Sequence, residues 1–234
     1  MSTALITGAS RGFGRALATA LAEQGWTVVA TGRNTGRLDD TRRRNPSRVI
    51  TVRGDVRDHE HLRAAVEAAR ETGRLDLLVH NASALGGSPL PTLAALDPAE
   101  LARIYAVNVV APLALTQLAL PLLNASPEPT VLALSSDAAA GAYPQWGGYG
   151  SSKAALDHLM AVLAAEQPAD SRLAVYAFDP GDMRTAMHQR AFPGEDISDR
   201  PLPETVVPAV LSLLHRRPAS GRYRAADLLS GVAS

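Results

Sequence analysis

A tyrosine and the chain's only lysine stand four residues apart, and this pair is the part of the sequence best suited to chemistry. Of 23 lysine and arginine residues, Lys153 alone is a lysine. An ammonium is compact and its pKa moves readily, whereas a guanidinium is planar and permanently charged. Four residues apart on a helix, Tyr149 and Lys153 would share one face, where the ammonium favours a phenolate. The pair suits proton transfer, although a lone lysine could also be an accident of an arginine-rich composition.

The overall composition favours a small molecule or another protein as the partner. The 234 residues carry a formal net charge of +0 at pH 7, so no basic field favours nucleic acid or an anionic membrane. The sequence has no cysteine, which excludes disulfides, thiol nucleophiles and cysteine-based metal sites, and we predict no metal. The N-terminus shows no basic region followed by a long apolar run, and we expect a cytoplasmic protein.

Residues 104 to 127 carry no charge and approach membrane-spanning length. Polar residues and prolines, among them Asn108, Pro112 and Pro121, interrupt this stretch. A long helix buried against a partner subunit explains the missing charge better than a bilayer does. We therefore predict no membrane partner.

The elements that would position these residues alternate along the chain. Short β-type runs alternate with longer helical segments, which is typical of a parallel sheet covered by helices on both faces. The predicted strands are residues 3–7, 27–31, 48–53, 75–80, 130–135 and 173–178, and the predicted helices are residues 13–24, 35–43, 59–72, 98–124, 149–167 and about 203–216. We expect one domain over residues 1–234, with a substrate-binding lid at about 182–203, because long aperiodic loops are often functional.

A glycine-rich turn follows the first predicted strand. The run from Thr7 to Gly14 contains Gly8, Gly12 and Gly14 and leads into an amphipathic helix. Glycines permit a tight turn and a close backbone approach, so a pyrophosphate could rest on the free N–H groups of the helix N-terminus. The spacing differs from the usual dinucleotide fingerprint, and an ordinary strand-to-helix turn is the alternative interpretation.

The end of the second predicted strand carries an arginine where an acid would bind an adenosine ribose. Gly32 and Arg33 follow the glycines by about 20 residues, the separation at which such an acid is found. A guanidinium there favours a 2′-phosphate, hence NADP(H) over NAD(H), and Arg11 in the glycine turn could reach the same phosphate. In so arginine-rich a chain, an incidental surface Arg33 is the alternative.

Together these motifs resemble the short-chain dehydrogenase/reductase family. The resemblance rests on Thr7 to Gly14, His80-Asn81-Ala82, Asn108, Ser136 and Tyr149 to Lys153, and it covers nearly the whole chain. It implies a Rossmann fold, that is, a single doubly wound parallel α/β sheet with helices on both faces. It also implies an NADP(H)-dependent oxidoreductase that transfers hydride between nicotinamide and a ketone, an aldehyde or a secondary alcohol.

The resemblance assigns roles to individual residues. Tyr149 would be the general acid/base, Ser136 would hydrogen-bond the substrate oxygen, and Lys153 would hold the nicotinamide ribose and lower the tyrosine pKa. Asn108 would complete the tetrad by keeping a water in a proton relay to Lys153. A strand-end serine and a helix-interior polar residue are the alternatives for Ser136 and Asn108. The cofactor would contact Gly8, Ser10, Arg11, Gly12, Phe13, Gly14, Arg33, Asp55, Val56, Asn81, Ala82, Tyr149, Lys153, Pro180, Gly181 and Thr185.

The sequence departs from the family pattern in two regions. The motif after the fourth strand reads His80-Asn81-Ala82-Ser83 where the family usually has Asn-Asn-Ala-Gly, which would alter the turn and keep the key Asn81. Gly221 to Arg224 resembles the family's last strand, but the usual glycine-rich continuation is missing. A seventh strand is therefore left open.

Substrate selectivity is expected from the loop after Asn81, the segment after Ser136 and the lid. Candidate liners are Leu85, Tyr143, Trp146, Met183, Met187 and His188, each of which could equally be a packing residue. Such a moderately apolar set suits a carbonyl compound with an aromatic or aliphatic body. The uncharged helix and the helix after Tyr149 resemble the pair through which family members form homodimers or homotetramers.

Functions of two other classes fit these residues less well. A dinucleotide-sensing binding protein could use the same fold without catalysis, but it has no need of Tyr149, Lys153 and Ser136. A sugar-nucleotide epimerase or dehydratase would need further C-terminal residues and a different glycine spacing.

Overall fold

A parallel sheet of seven strands forms the centre of the protein in a computed structural model that describes residues 1–230. The strands are β1 (Thr3–Ile6), β2 (Thr27–Gly32), β3 (Val49–Arg53), β4 (Leu77–His80), β5 (Thr130–Leu134), β6 (Ala174–Asp179) and β7 (Gly221–Arg224). Their order is β3-β2-β1-β4-β5-β6-β7. The chain winds outward from β1 to one edge and then from β4 to the other, which confirms the doubly wound sheet. Ligands bind such sheets at the carboxyl ends of the strands where the winding reverses.

Helices cover both faces of the sheet, as predicted. They are α1 (Gly12–Glu23), α2 (Thr35–Arg44), α3 (His59–Arg70), α4 (Pro98–Tyr105), α5 (Ala111–Leu123), α6 (Gly147–Ala165), α7 (Ala186–Ala191), α8 (Pro203–Arg216) and α9 (Ala225–Ser230). A π-helical turn, Ala106–Val110, joins α4 to α5, so the long helix predicted over 98–124 forms with one local widening. The predicted domain of residues 1–234 ends in residues 231–234, which lie outside the described part of the chain.

Two apolar cores lie on opposite sides of the sheet because neighbouring residues of a strand point to opposite faces. In β1, Ala4 and Ile6 pack in the core beneath α1 and α8, whereas Leu5 packs in the core beneath α3, α5 and α6. Burial on both faces explains the nearly continuous apolar runs of the strands. It also fixes the strand ends, from which the loops of the site extend.

The seventh strand forms although the glycine-rich continuation is missing. β7 pairs in parallel with β6, with Tyr176 opposite Gly221. The chain turns into β7 at Arg217, whose φ of 43° lies in the left-handed region. The Arg217 guanidinium donates to the carbonyl oxygens of Pro129 and Arg172 at 3.2 and 2.8 Å, which holds this turn against the rest of the sheet.

One helical stretch among the described residues, Pro98–Leu123, is long and apolar enough to cross a membrane, a test that core helices also pass. Leu115 and Ala119 on one face pack fully into the core beneath α3 and α6. On another face Val110 and Leu113 are 59% and 42% exposed. The stretch therefore has a core face and a second face that is apolar and uncovered.

Candidate active site

The glycine turn joins β1 to α1 at the carboxyl edge of the sheet and packs against the turn after β4. Gly8 has φ 67°, and a Cβ on it would lie 2.9 Å from the Ala82 Cα, while a Cβ on Gly14 would overlap the Asn81 side chain. These positions therefore require glycine. The α1 helix begins at Gly12, no side chain of residues 1–230 caps it, and its first turn holds no acid. Its free N–H groups can receive an anion.

Asn81 connects the turn after β4 to the glycine turn. Its Nδ2 donates to the carbonyl oxygens of Thr7 and Gly8 at 2.8 and 3.1 Å. The Thr7 hydroxyl accepts the backbone N–H groups of Asn81 and Ala82, both at 3.0 Å. The two loops that carry predicted cofactor residues are thus held together by hydrogen bonds.

Arginines gather beside this turn at the end of β2. Burial lowers the pKa of Arg11, and the positive charges of Arg37, Arg190 and Arg33 lower it further. Ser10 lies against Gly32, on which a Cβ would be 3.2 Å from the Ser10 Oγ. Guanidinium groups in such proximity repel one another, so the arrangement favours a bound anion.

Asp55 and Val56 follow β3 on the same side of the sheet. Hydrogen bonds from Arg57 lower the pKa of Asp55 to about 2, against the effect of burial. Arg57 Nη2 lies 2.8 Å from the carboxylate, whereas Arg33 Nη1 lies 3.9 Å from it and keeps 74% of its side chain exposed. Val56 shares a small cavity with Thr7. Arg33 is therefore held only weakly and can turn toward a ligand.

Other predicted cofactor residues line the edge in different ways. The Phe13 side chain is buried and stacks on Phe178 with ring centroids 6.2 Å apart, so only its backbone can face a ligand. In the Pro180-Gly181 turn, the Gly181 N–H donates to Asp179 at 3.0 Å. Thr185 caps α7 and faces the glycine turn, since a Cβ on Gly12 would lie 3.6 Å from its methyl group.

Tyr149 and Lys153 lie one turn apart on α6, as the spacing predicted. Lys153 is 2% exposed, and its Nζ donates to the Leu134 carbonyl oxygen at 2.6 Å and lies 5.6 Å from the centre of the Tyr149 ring. Burial lowers the pKa of Lys153 to about 8, although the Asp157 carboxylate raises it.

The Tyr149 hydroxyl faces two serines. Burial raises the pKa of Tyr149 above its ordinary value, and hydrogen bonding with the side chains of Ser136 and Ser83 counteracts this effect. The expectation that Lys153 lowers the tyrosine pKa is not met in this structure, because burial dominates and the ammonium points to Leu134. In the sequence Ser83 stands out only as a departure from the family pattern, and no local signal indicates its place beside the phenol.

Asn108 lies in the π-helical turn and is 1% exposed. Its Oδ1 accepts the Ala84 N–H at 2.7 Å and the Ser83 hydroxyl at 3.2 Å. Its Nδ2 donates to the Ala84 carbonyl oxygen and the Ser152 Oγ, both at 2.9 Å. The side chain thus braces the turn after β4 against α6, and a proton relay through Asn108 would have to use its backbone, whose regular bonding the π turn alters.

His80, the first departure from the family pattern, is 2% exposed and hydrogen-bonds Thr116 on α5 through Nε2 at 2.8 Å. Burial, and then the charge of Lys153, lowers the pKa of His80 to about 3. The imidazole is therefore neutral at pH 7 and joins β4 to α5 from beneath the site.

Aromatic rings extend from Tyr149 toward α7. The Trp146 ring lies 5.8 Å from those of Tyr149 and Phe192, and Phe192 lies 4.8 Å from His188. Leu85 and Tyr149 line a small apolar recess on the other side. Trp146 and Leu85 therefore lie beside Tyr149, and His188 is connected to Trp146 through Phe192, which carries no signal in the sequence.

The remaining predicted liners are Tyr143, Met187 and Met183. Tyr143 is 48% exposed, and the charge of Asp137 with a hydrogen bond to it raises the pKa of Tyr143. Met187 is half-buried on α7. Met183 packs against the core beneath α1 and α8, which favours its interpretation as a packing residue.

The segment predicted as a lid lies across the site and contains α7. The Arg190 guanidinium donates to the Gly86 carbonyl oxygen at 2.9 Å, and the Ser88 hydroxyl donates to the Arg190 carbonyl oxygen at 2.6 Å. These bonds connect residues 182–203 to the loop after Asn81.

The sequence matches the family described as short chain dehydrogenase over residues 2–196. The chain belongs to the short-chain dehydrogenase/reductase family. It is 34% identical to the uncharacterized oxidoreductase YciK of Escherichia coli over 90% of this chain and 84% of that protein. It is 35% identical to a sepiapterin reductase of Meriones unguiculatus over 80% and 76% of the two chains.

The fold agrees with that of solved family members. A short chain dehydrogenase of Shigella flexneri in complex with NADP superposes with a TM-score of 0.88 at 31% identity, over 96% of this chain and 97% of that chain. This short-chain dehydrogenase/reductase is therefore an oxidoreductase by family. In this chain, α8 and β7 lie after residue 196, where the match to the family ends.

Proposed function

We propose that this short-chain dehydrogenase/reductase is an NADP(H)-dependent carbonyl reductase or alcohol dehydrogenase. The observation that carries the proposal is the meeting of Tyr149, Ser136 and Lys153 at the carboxyl edge of the sheet, beside the glycine turn. A proton donor, a second hydroxyl and a cation in one place are what the reduction of a carbonyl requires.

The residues present fit NADP(H). A pyrophosphate fits the free N-terminus of α1, and a 2′-phosphate would supply the counter-charge that Arg11, Arg33 and Arg37 need. The NADP in the Shigella flexneri structure supports this choice. When bound, the cofactor supplies the hydride chemistry, and the protein supplies position and electrostatics.

In the reducing direction, Tyr149 donates its proton to the carbonyl oxygen while Ser136 orients that oxygen. The raised pKa of Tyr149 keeps the phenol protonated at neutral pH, which is the form a general acid needs. The phenol is therefore in the form that can donate its proton to a carbonyl oxygen.

Lys153 is suited to hold the ribose of the nicotinamide half. Its ammonium has three N–H donors, and Leu134 takes one of them. With a pKa of about 8, Lys153 is protonated in about ten molecules for each neutral one at pH 7. A cation thus remains one turn from Tyr149.

The substrate we propose is a carbonyl compound with an aromatic or aliphatic body. The rings of Trp146 and Phe192 and the apolar recess at Leu85 form the walls nearest to Tyr149. Such walls bind apolar bodies, and the hydroxyls fix the carbonyl. Residues 182–203 would serve as the lid of the single domain.

We also propose a homodimer or homotetramer in the cytoplasm. Val110 and Leu113 on the uncharged stretch and Val162 on α6 are 59%, 42% and 37% exposed. Uncovered apolar side chains on neighbouring helices are typical of a subunit contact.

The decisive experiment measures NADPH oxidation with a panel of ketones, aldehydes and quinones, alongside the Kd for NADPH. We expect turnover by the wild type and a loss of about 100-fold or more in kcat for Y149F, with NADPH still bound. Tight NADPH binding without turnover across the panel would instead indicate a dinucleotide-sensing binding protein.

A further inference from the structure

One arginine outside the predicted site joins three of its elements. Arg222 lies on β7, and its Nη2 donates to the Ser136 carbonyl oxygen at 2.8 Å and to Asp179 Oδ2 at 3.0 Å. Its Nε donates to Asp157 Oδ2 on α6 at 3.1 Å. A single guanidinium therefore connects the ends of β5 and β6 to α6.

Each of these partners is next to a residue of the proposed reaction. Asp157 follows Lys153 by one turn of α6, and its Oδ2 also accepts the Ser135 hydroxyl at 2.6 Å. Asp179 uses its other oxygen to accept the N–H of Gly181, in the turn predicted to meet the nicotinamide.

The two carboxylates of this group are largely shielded from water, whereas the guanidinium is partly exposed. Asp179 is 5% exposed, Asp157 16% and Arg222 32% in their side chains. Burial raises the pKa of Asp157, and the bonds from Ser135 and Arg222 oppose this. Among residues 1–230 the other Asp157 oxygen, Oδ1, is buried without a hydrogen-bond partner. Loss of Arg222 would leave two buried carboxylates without their shared cation.

We propose that Arg222 is a positioning residue for carbonyl reduction, an inference that rests on the proposed function. By holding the Ser136 carbonyl, its guanidinium fixes the orientation of the serine that carries the substrate-binding hydroxyl. The reacting groups of an active site must keep their positions closely, because a displacement of about 1 Å can lower the rate about 100-fold. A planar fork can make these three bonds at once, and an ammonium cannot reproduce its geometry.

The test compares R222Q and R222K with R224Q by kcat/KM for the carbonyl substrate, the Kd for NADPH and the melting temperature. Arg224 lies on the same strand, is exposed, and makes no side-chain hydrogen bond or ion pair within residues 1–230, so R224Q should match the wild type. We expect kcat/KM to fall about 30-fold in R222Q and about fivefold in R222K. If R222Q does not fold, the kcat/KM of R222K alone tests the inference.

A double-mutant cycle with S136A separates positioning from general stability. If Arg222 acts through Ser136, its replacement should lower kcat/KM less than about threefold in the S136A background. An equal loss in both backgrounds, or wild-type kcat/KM in R222Q and R222K, overturns the inference while the proposed function stands. Absence of wild-type turnover with the carbonyl panel overturns the proposed function, and the role of Arg222 falls with it.

Discussion

The Ser83 hydroxyl donates a hydrogen bond to Asn108 Oδ1 across 3.2 Å, and the same hydroxyl faces Tyr149. A residue that usually is glycine in the family thus joins a buried amide to the proposed proton donor. When the Ser83 hydroxyl turns its single proton from Asn108 to the phenolate, it lowers the pKa of Tyr149, against the larger effect of burial.

S83A should therefore raise the pKa of Tyr149 further. Reduction needs the protonated phenol, so the fall of kcat/KM at high pH should move to higher pH, and oxidation of the alcohol should need more alkaline conditions. The measurement is the pH profile in both directions, with S151A on the exposed side of α6 as control. Superimposable profiles for S83A and the wild type would contradict a hydrogen bond at the phenol.

K153R should lose about 100-fold or more in kcat/KM although it keeps the charge. The Lys153 side chain is 2% exposed and aimed at the Leu134 carbonyl, and a planar guanidinium does not fit such a site. Steady-state kinetics with a melting curve check the prediction. Near-wild-type turnover by K153R would contradict the requirement for a lysine at this position.

R33Q should lower kcat/KM with NADPH and leave kcat/KM with NADH nearly unchanged. One charge-assisted hydrogen bond contributes about 1.5–3 kcal/mol, or about 10- to 100-fold in kcat/KM with NADPH. Arg33 is 74% exposed in its side chain, so stability should not change. Kinetics with both cofactors test this, with R44Q at the exposed end of α2 as control. A wild-type enzyme that prefers NADH would contradict the role of Arg33.

His80 should make the protein sensitive to acid. Its pKa is about 3 in the folded state against 6.5 ordinarily, so the unfolded state binds the extra proton. The contribution of neutral His80 to the free energy of unfolding is fully present above pH 6.5 and is lost as pH falls from 6.5 toward 3. At pH 5 the loss is about 2 kcal/mol.

Urea unfolding at pH 7 and pH 5 measures this difference. H80N removes the titrating group and should lose less of its free energy of unfolding between the two pH values than the wild type does. Equal losses in both proteins would show that other groups account for the acid sensitivity.

L113E should shift the protein toward the monomer. It places a charge on the apolar, 42% exposed part of α5, where a subunit contact would bury it at high cost. Light scattering after gel filtration gives the mass. L202E changes an equally exposed leucine, at 45%, away from α5 and α6 and should keep the wild-type mass. A monomeric wild type would refute the oligomer.

The sequence was informative wherever a local pattern decides the outcome. Alternation of strands and helices determined the sheet, and because parallel strands end at one edge, Ser136, Asn81 and the glycine turn had to meet there. The spacing of Tyr149 and Lys153 placed them on one helix face.

Long-range partners left no such signal. Arg222 and Asp157 are 65 residues apart, and nothing local indicates that they pair. The short α7 and the strand β7 are set by packing rather than by periodicity. The pKa of Tyr149 depends on its burial, which the one-turn spacing could not reveal.

Arg217 gathers carbonyl oxygens at the amino edge of the sheet, opposite the edge where the cofactor and substrate would bind. Three of its hydrogen bonds are to main-chain carbonyls, which are present whatever side chains the neighbouring positions carry, and a fourth is to the Thr130 hydroxyl. Folding and recognition thus depend on separate ends of the same strands. Substrate preference can diverge among descendants of this chain while the opposite end stays unchanged.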